Sequence, residues 1–507
     1  VDPRRLPHHG GFGPGALPAR IRLMKELMDT SRLKLYINGQ WRDASSGATV
    51  EVRNPATEGP VCRVPYGGTG EATAAIESAA AAFPVWSGLS AWDRSRALRR
   101  VSDLIRQRKE EYARWMTLEM GKPIAESRAE VNATADYFEW FSEEAKRVYG
   151  DIVPAHTAKK RHWVIRQPLG VAVAITPWNF PSVLPARKIS AALAAGCTIV
   201  VRPATQTPLS SLAIMQACED AGLPPGAVNL VLGRSSELGP VLIGHPAVKK
   251  VSLTGSVEVG RIIASDAGSH LKKVSLELGG SAPILIFDDA DLEQAARQTA
   301  RIKFRNMGQV CIAITRIYVQ ETIRREFEKI FVSEAESLRI GNGLEESTEL
   351  GPLANLEGLS KTRELVADAV GKGARLVSGG GRPSGFEQGY FYQPTVLCDV
   401  PESARVLHEE PFGPIAPICG FRDFDDALAK GNSTSFGLAG YLFTSNLTTA
   451  ILAAEKLECG IVGVNDLVVA TAQCPFGGVK DSGFGREGGH QGINEYLYTK
   501  YISVGLH

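Results

Sequence analysis

The sequence predicts an α/β fold whose first half is a parallel, doubly wound sheet, and three observations predict it. Short β-branched runs alternate with helical stretches from residue 164 onward, the first of those helices stop at glycines, and 507 residues are too many for one hydrophobic core. The runs are Val171-Ala-Val-Ala-Ile175, Cys197-Thr-Ile-Val-Val201, Val228-Asn-Leu-Val-Leu232 and Lys250-Val-Ser-Leu253. Between the first three, a helix over 185–195 is closed by Gly196, and one over 208–221 by Gly222. Strand–helix–strand units of this kind make a parallel sheet with both faces covered, and right-handed crossovers make it Rossmann-like.

The elements outside this run follow in order. Lys34-Leu-Tyr-Ile-Asn-Gly-Gln-Trp41 alternates like a short strand ending in a turn. Two helices are expected next. The second starts at a capping-box-like Ser90/Asp93 pair and carries Leu98, Val101 and Ile105 at helical spacing, continuing to Tyr112 and Trp115. The segment 145–163, with Lys159, Lys160 and Arg161, reads as an exposed hairpin that pairs with a neighbouring subunit. A second α/β region runs over 280–465. Residues 1–30, rich in Pro and Gly and without the apolar stretch of a signal peptide, read as a loosely ordered arm and an upstream extension.

Composition excludes several classes. A formal net charge of +1 gives no electrostatic footprint for nucleic acid. No apolar run approaches the roughly eighteen residues a spanning helix needs, so no membrane partner is expected. The eight cysteines form no C-x-x-C pair and stand at no metal spacing with histidine, so no metal is expected. Reduced thiols in the cytoplasm are the natural reading, and one of them is available as a nucleophile.

Four motifs carry chemistry. Leu253-Thr-Gly-Ser-Val-Glu-Val-Gly260 is a strand running into a helix. Gly255 permits a tight turn and close approach, Ser256 caps the helix, and the free N–H groups suit a phosphate; the alternative is an ordinary βα turn. Thr176-Pro-Trp-Asn-Phe-Pro181 stands at a strand's C-terminal end, where such folds bind ligands, and the Asn179 amide suits a developing oxyanion. The same residues would also serve a proline-flanked turn. In Leu276-Glu-Leu-Gly-Gly280, an isolated Glu277 is expected to be desolvated and its pKa raised, as a general base requires, unless it pairs with Lys272 or Lys273. Phe304-Arg-Asn-Met-Gly-Gln-Val-Cys311 offers a thiol nucleophile, although a single cysteine more often fills core.

The joint order of Asn179, Glu277 and Cys311 resembles the aldehyde dehydrogenase superfamily. Glu409-Glu-Pro-Phe-Gly-Pro414 and Pro475-Phe-Gly-Gly-Val-Lys-Asp-Ser-Gly-Phe-Gly-Arg-Glu487 extend the resemblance from about residue 34 to the end. It implies a cofactor domain (31–144 and 169–279), a catalytic domain (280–465) and a small β oligomerisation arm (145–168 and 485–507, with a C-terminal strand over 494–507). It also implies a homo-oligomer, dimer or tetramer. Carried over, Cys311 attacks the aldehyde, Asn179 and the Cys311 N–H hold the oxyanion, and hydride passes to NAD or NADP. Glu277 then activates water to hydrolyse the thioester. Lys188 corresponds to a lysine that supports the asparagine and a proton path. Thr176, Pro177, Trp178, Arg202, Thr205, Gly255, Ser256, Gly279, Glu410 and Phe412 correspond to cofactor-binding positions.

Three features address specificity. Arg202-Pro-Ala-Thr205 stands where the family usually has Lys-Pro-Ala-Glu. Losing that carboxylate removes a repulsion against a 2′-phosphate, so NADP is expected to be used well. Arg187 and Arg305 match arginines of succinate-semialdehyde dehydrogenases, which implies an aldehyde with an anionic far end in a tunnel walled by Phe180 and Phe476. A serine usual in those enzymes is replaced here by Ala470, and Thr471 is the expected substitute. Competing readings are a CoA-acylating enzyme, which would lack Glu277, a cysteine hydrolase, and a non-catalytic protein that keeps the fold.

Overall fold

The computed structural model describes residues 30–507; the arm expected over 1–30 lies outside them, Thr30 excepted. Two sheets dominate. The first has eight strands in the order Gln40–Arg42, Leu35–Ile37, Val228–Leu230, Thr198–Arg202, Val171–Ile175, Val248–Thr254, Lys273–Glu277, Gly483–Phe484. Its central pairs are parallel and both edges antiparallel. Strand 171–175 is buried on both faces, as its unbroken apolar run requires. The helices that follow the first two strands, Val183–Ala195 and Leu209–Asp220, are also largely buried, and Gly196 closes the first in the left-handed conformation.

The second sheet has seven strands, Arg375–Ser378, Thr395–Cys398, Ile415–Phe421, Ile314–Gln320, Ala282–Ile286, Ala439–Phe443 and Ile461–Val464, parallel except at its first pair. A third, small sheet pairs Leu497–Gly505 with Lys160–Pro168, and the latter with Asp151–Val153. Ile152 is 81% exposed and Tyr501 59%.

Among the described residues, the stretch 30–150 differs from expectation. A hairpin of Thr49–Arg53 and Pro60–Pro65 precedes the helices, and there are four helices rather than two: Thr69–Gly88, Ala91–Gln107, Lys109–Met120 and Ile124–Glu144. Ser90 caps the second, accepting from the Asp93 N–H, but Asp93 is too short to reach back and instead receives the Ser90 hydroxyl at 2.6 Å. The apolar stripe through Leu98, Val101 and Ile105 does not run on unbroken to Trp115. Arg108 leaves helical geometry (φ −99°, ψ 19°), and its guanidinium reaches Asp220 at 2.6 Å. At the other end, the last strand is shorter than the expected 494–507, since Gly489–Asn494 forms a helical turn before it.

Topology gathers the motifs. Strands 171–175, 248–254 and 273–277 are adjacent, with Leu253 in register with both Ile175 and Leu276, and Thr254 with Glu277. Thr176–Asn179, Gly255–Ser256 and Glu277 therefore leave the same edge of one sheet, at the carboxyl ends where α/β sheets bind ligands.

Candidate active site

Cys311 follows a helix, Leu292–Phe304, and a tight turn in which Asn306, Met307 and Gly308 all have positive φ (49°, 58° and 70°). Three successive left-handed residues, two of them not glycine, are a costly conformation that surrounding bonds must hold. Those bonds are present. The Asn306 amide donates to the carbonyls of Asn179 (3.2 Å) and Gln309 (3.3 Å), its N–H donates to Glu126 (3.1 Å), and the Gln309 amide donates back to the Asn306 carbonyl (3.0 Å). Gly308 is needed for contact as well as conformation, because a Cβ there would stand 2.3 Å from the Gly413 carbonyl.

Asn179 is fixed from the other side. Its side-chain amide donates to the Gln309 carbonyl at 3.1 Å, which leaves the second N–H of that amide group. Its own carbonyl accepts from buried Lys122 at 2.8 Å, and Lys122 pairs with buried Glu130 at 2.5 Å. Glu130 in turn accepts from the Ser182 and Val183 N–H groups, which start the helix carrying Arg187 and Lys188. Asn306, Gln309, Lys122, Glu130 and Glu126 were not singled out from sequence. The first two stood inside the motif before Cys311; the others lie in Gly121-Lys-Pro-Ile-Ala-Glu-Ser-Arg-Ala-Glu130, which carries no spacing that marks it.

Glu277 is buried, and among the described residues neither of its oxygens has a hydrogen-bond partner. Burial raises its pKa, Glu487 nearby adds to the rise, and Arg187, Lys188 and Arg486 oppose it. Pairing with the neighbouring lysines does not occur: Lys272 donates to the carbonyls of His245 and Val248, and Lys273 to that of Asn494. The two glycines after Glu277 are close-approach positions. A Cβ on Gly280 would lie 2.3 Å from the Cys311 carbonyl, and one on Gly279 2.5 Å from a Glu410 oxygen. The Gly280 N–H donates to Glu410 at 3.0 Å, and burial pushes that carboxyl up to about 7. Burial also raises the Cys311 thiol, with Glu277 and Glu410 adding and Arg187 opposing. In this setting the thiol holds its proton until a base takes it.

Lys188 is placed differently from expectation. It donates to Glu487 rather than to the Asn179 side chain, whose Oδ1 has no partner among the described residues. Lys188 is on a fully buried helix facing the returning 475–487 segment, so a full negative charge there outcompetes a neutral amide oxygen.

Along the sheet edge, Thr176 is buried with its hydroxyl unpartnered among the described residues, Pro177 and Trp178 are half-buried, and Trp178 meets Phe412 edge-on with ring centroids 5.5 Å apart. Ser256 caps the helix Val257–Ser269 by accepting from the Val259 N–H. Gly255 makes no positive-φ turn, contrary to expectation. A Cβ there would meet nothing nearer than 3.5 Å, so the chain's own packing does not require the glycine and the position is open to approach from outside. Arg202 donates to the Gly233 carbonyl and, at 2.7 Å, to Ser235, with its Nε buried and unpartnered among the described residues; Thr205 is half-buried in the following turn.

Cys311 opens into a cavity of about 280 Å³ that Arg187, Arg305, Phe180 and Phe476 also line. Arg187 stacks on Phe476 (4.1 Å to the ring centroid) and on Tyr137 (5.0 Å), lies 3.8 Å from Glu487, and has Nε and Nη1 free of hydrogen bonds among the described residues. Arg305 lies over Phe180 at 5.6 Å. Ala470 lines this cavity but Thr471 does not. Thr471 faces a surface groove with Asp136 and Glu139, so it is not a substitute for the missing serine hydroxyl. Among the described residues, no cluster of His, Cys, Asp and Glu could hold a metal ion and no helix is long and apolar enough to cross a membrane.

Comparison with known proteins gives one answer. The sequence profile described as the aldehyde dehydrogenase family matches residues 41–502. A glutarate-semialdehyde dehydrogenase of Pseudomonas putida is 46% identical over 94% of this chain and 98% of its own. An NADP-linked succinate-semialdehyde dehydrogenase of Escherichia coli is 45% identical over 94% of this chain and 98% of its own. A solved structure of an E. coli NADP-dependent enzyme superposes with a TM-score of 0.93 at 45% identity, covering 95% of this chain and 99% of that one. With the 309–311 segment that carries the thiol brought against Asn179 and the glycines after buried Glu277, and a profile match over residues 41–502, the chain belongs to the aldehyde dehydrogenase family.

Proposed function

We propose that this protein oxidises an aldehyde carrying an anionic group at its far end, such as succinate or glutarate semialdehyde, to the dicarboxylate, with NADP or NAD as hydride acceptor. The observation that carries the substrate class is Arg187 and Arg305 lining the same apolar-walled cavity as Cys311. Two guanidiniums hold a carboxylate by charge-assisted bonds and present the other end of the chain to the thiol. The relatives named for succinate and glutarate semialdehydes support this reading.

Cys311 Sγ bonds to the aldehyde carbon as its proton passes to water, and the resulting oxyanion sits on the second Asn179 N–H and the Cys311 backbone N–H. Hydride loss from that carbon leaves a thioester. Glu277 removes a proton from water, the hydroxide adds to the thioester carbon, and the C–S bond breaks to release carboxylate and thiolate. One aldehyde, one oxidised cofactor and one water give one carboxylate, one reduced cofactor and two protons. Burial suits Glu277 to this work, because the raised pKa makes its carboxylate a stronger base than an exposed one.

The residues fit a dinucleotide. The open Gly255 approach, the Ser256-capped helix, and the Thr176 hydroxyl and Arg202 Nε, both unpartnered among the described residues, would meet the polar groups of a dinucleotide, and Glu410, which accepts from the Gly280 N–H, would meet a ribose. When bound, the nicotinamide supplies a hydride acceptor. With no carboxylate at Thr205 and a guanidinium at Arg202, NADP is used at least as well as NAD. The exposed three-stranded sheet suits pairing between copies of the chain, and we place the protein as a cytoplasmic homo-oligomer, a dimer or tetramer.

The test compares kcat/KM for succinate and glutarate semialdehydes with that for butanal, each with NADP and NAD. The proposal expects the semialdehydes to be strongly preferred. Equal values for butanal overturn the substrate class, and a tenfold preference for NAD overturns the cofactor reading.

A further inference from the structure

Ala129, Ala133 and Tyr137 follow one another at four-residue spacing on the helix Ile124–Glu144, so they share one face, and all three line the cavity into which Cys311 opens. The two alanines project only a methyl group each. Tyr137 carries a phenol and is buried. Among the described residues, the other hydroxyl lining this cavity belongs to Tyr441, and it is committed to the Ile312 carbonyl at 2.9 Å. Ala470 on the same wall has no hydroxyl, and Thr471 faces the surface groove. The phenol of Tyr137 is therefore the hydroxyl that this wall can offer a ligand.

Its ring is held on both sides. The Arg187 guanidinium lies over it at 5.0 Å, and its Cε1 packs on Gly488, where an added Cβ would stand 3.3 Å away. What remains free to turn is the O–H bond. The acceptor it reaches is the Thr471 carbonyl, at 3.4 Å. Bonds of this kind ordinarily close to about 2.7–2.8 Å, so the contact is stretched and holds the proton weakly. Burial raises the phenol's pKa, with Arg187 opposing, so the group remains a protonated donor. Beside it stand Nε and Nη1 of Arg187, both without a hydrogen bond among the described residues. A donor with a poor neutral acceptor gains most from a charged one, since an O–H···O⁻ bond shortens to about 2.5–2.7 Å.

We propose that Tyr137 is a specificity-determining residue: its hydroxyl turns from the Thr471 carbonyl to an oxygen of the substrate's terminal carboxylate and acts as a donor to that group beside the Arg187 fork. The assignment rests on the reading that the substrate is an aldehyde with an anionic far end. It gives Tyr137 a part in choosing the substrate and none in the bond changes at Cys311. A neutral aldehyde presents no anion to this wall, so the phenol stays on Thr471 and adds nothing to its binding.

The experiment uses the full-length protein with NADP and measures kcat/KM for succinate semialdehyde, glutarate semialdehyde and butanal on wild type, Tyr137→Phe, Arg187→Met and the double variant. Phenylalanine keeps the ring under Arg187 and against Gly488 and removes only the oxygen. The ratio of kcat/KM for a semialdehyde to that for butanal is expected to fall roughly tenfold or more in Tyr137→Phe, as for one hydrogen bond to a charged group. With Arg187 already replaced, losing the hydroxyl should lower the ratio by clearly less, because both side chains hold one carboxylate. An unchanged ratio in Tyr137→Phe overturns the assignment. So does an equal fall for all three aldehydes, which marks the hydroxyl as a brace for the 470–473 segment, and so does a double variant whose loss is the full product of the two single losses. The reading beneath is judged separately. If wild type handles butanal as well as the semialdehydes, the anionic substrate itself fails. If wild type prefers the semialdehydes and Arg187→Met removes the preference while Tyr137→Phe keeps it, the assignment of Tyr137 alone fails.

Discussion

Replacing Arg187 by methionine removes the buried guanidinium while keeping an apolar side chain against Phe476 and Tyr137. In the structure Arg187 makes no strong ion pair, since Glu487 is 3.8 Å away and already bonded to Lys188, and Nε and Nη1 are unbonded among the described residues. Both donors are therefore available for a carboxylate. A hydrogen bond to a charged group contributes about 1.5–3 kcal/mol. Two donors on one fork are not additive, so a net loss near 3 kcal/mol, or roughly 150-fold in kcat/KM, is expected for a semialdehyde. Arg305, half-exposed and stacked on Phe180, stands in higher dielectric, and its loss is expected to cost about tenfold. Butanal has no carboxylate to lose, so its kcat/KM changes little in either variant. The assay follows reduced cofactor with both aldehydes on wild type and each variant. An equal fall for butanal and semialdehyde in Arg187→Met refutes the reasoning, because it means the arginine holds the site together and does not read the anion.

Three further expectations follow from the geometry. Gly280→Ala should cost more than about a hundredfold in activity, because its Cβ meets the Cys311 carbonyl at 2.3 Å and backbone cannot yield, whereas Gly255→Ala should fold normally and raise only the KM for cofactor; comparing kcat and cofactor KM in the two variants decides it. The cofactor-free protein should lose stability as pH rises from about 4.5 through about 7. Glu410 is held at about 7 by burial against 4.5 ordinarily, so the unfolded chain sheds that proton first, and up to about 3 kcal/mol of relative stability is gone above pH 7; Glu410→Gln should narrow the gap between melting temperatures at pH 5 and pH 8, and an unchanged gap contradicts it. Ile152→Glu should shift the assembly toward smaller species in sedimentation, since Ile152 is 81% exposed on the small sheet; an unaltered mass means that face pairs with nothing.

The parts of this account that were legible in sequence are those with a local rule. The βα alternation over 171–254 marked the sheet because buried parallel strands and glycine-closed helices leave periodic traces. Glu277 was marked because a carboxylate between leucines and glycines has no local partner, and its burial without one follows. Long-range partnerships left no such trace. Nothing around Lys122 or Glu130 shows that this pair supports the Asn179 carbonyl and the start of the helix carrying Arg187, because its partners lie about fifty residues away in sequence. Lys188 was assigned to Asn179, while the structure gives it Glu487, brought back by a strand at 483–484 that pairs antiparallel beside Glu277. Thr471 was chosen for its hydroxyl, but which of two adjacent side chains enters a cavity is set by backbone direction, and here it is Ala470. The break at Arg108 was equally silent: a stripe of apolar residues records which face is buried, not where one helix ends and the next begins.

The measurement that bears most directly on the central claim is to catch the acyl-enzyme. Glu277→Gln is mixed with glutarate semialdehyde and NADP, quenched in acid after the burst, and digested for peptide mass analysis. The account predicts one glutaryl group, in thioester linkage, on the peptide containing Cys311 and absent from those containing the other seven cysteines. Reduced cofactor formed without an adduct on Cys311, or an adduct on another cysteine, would contradict it.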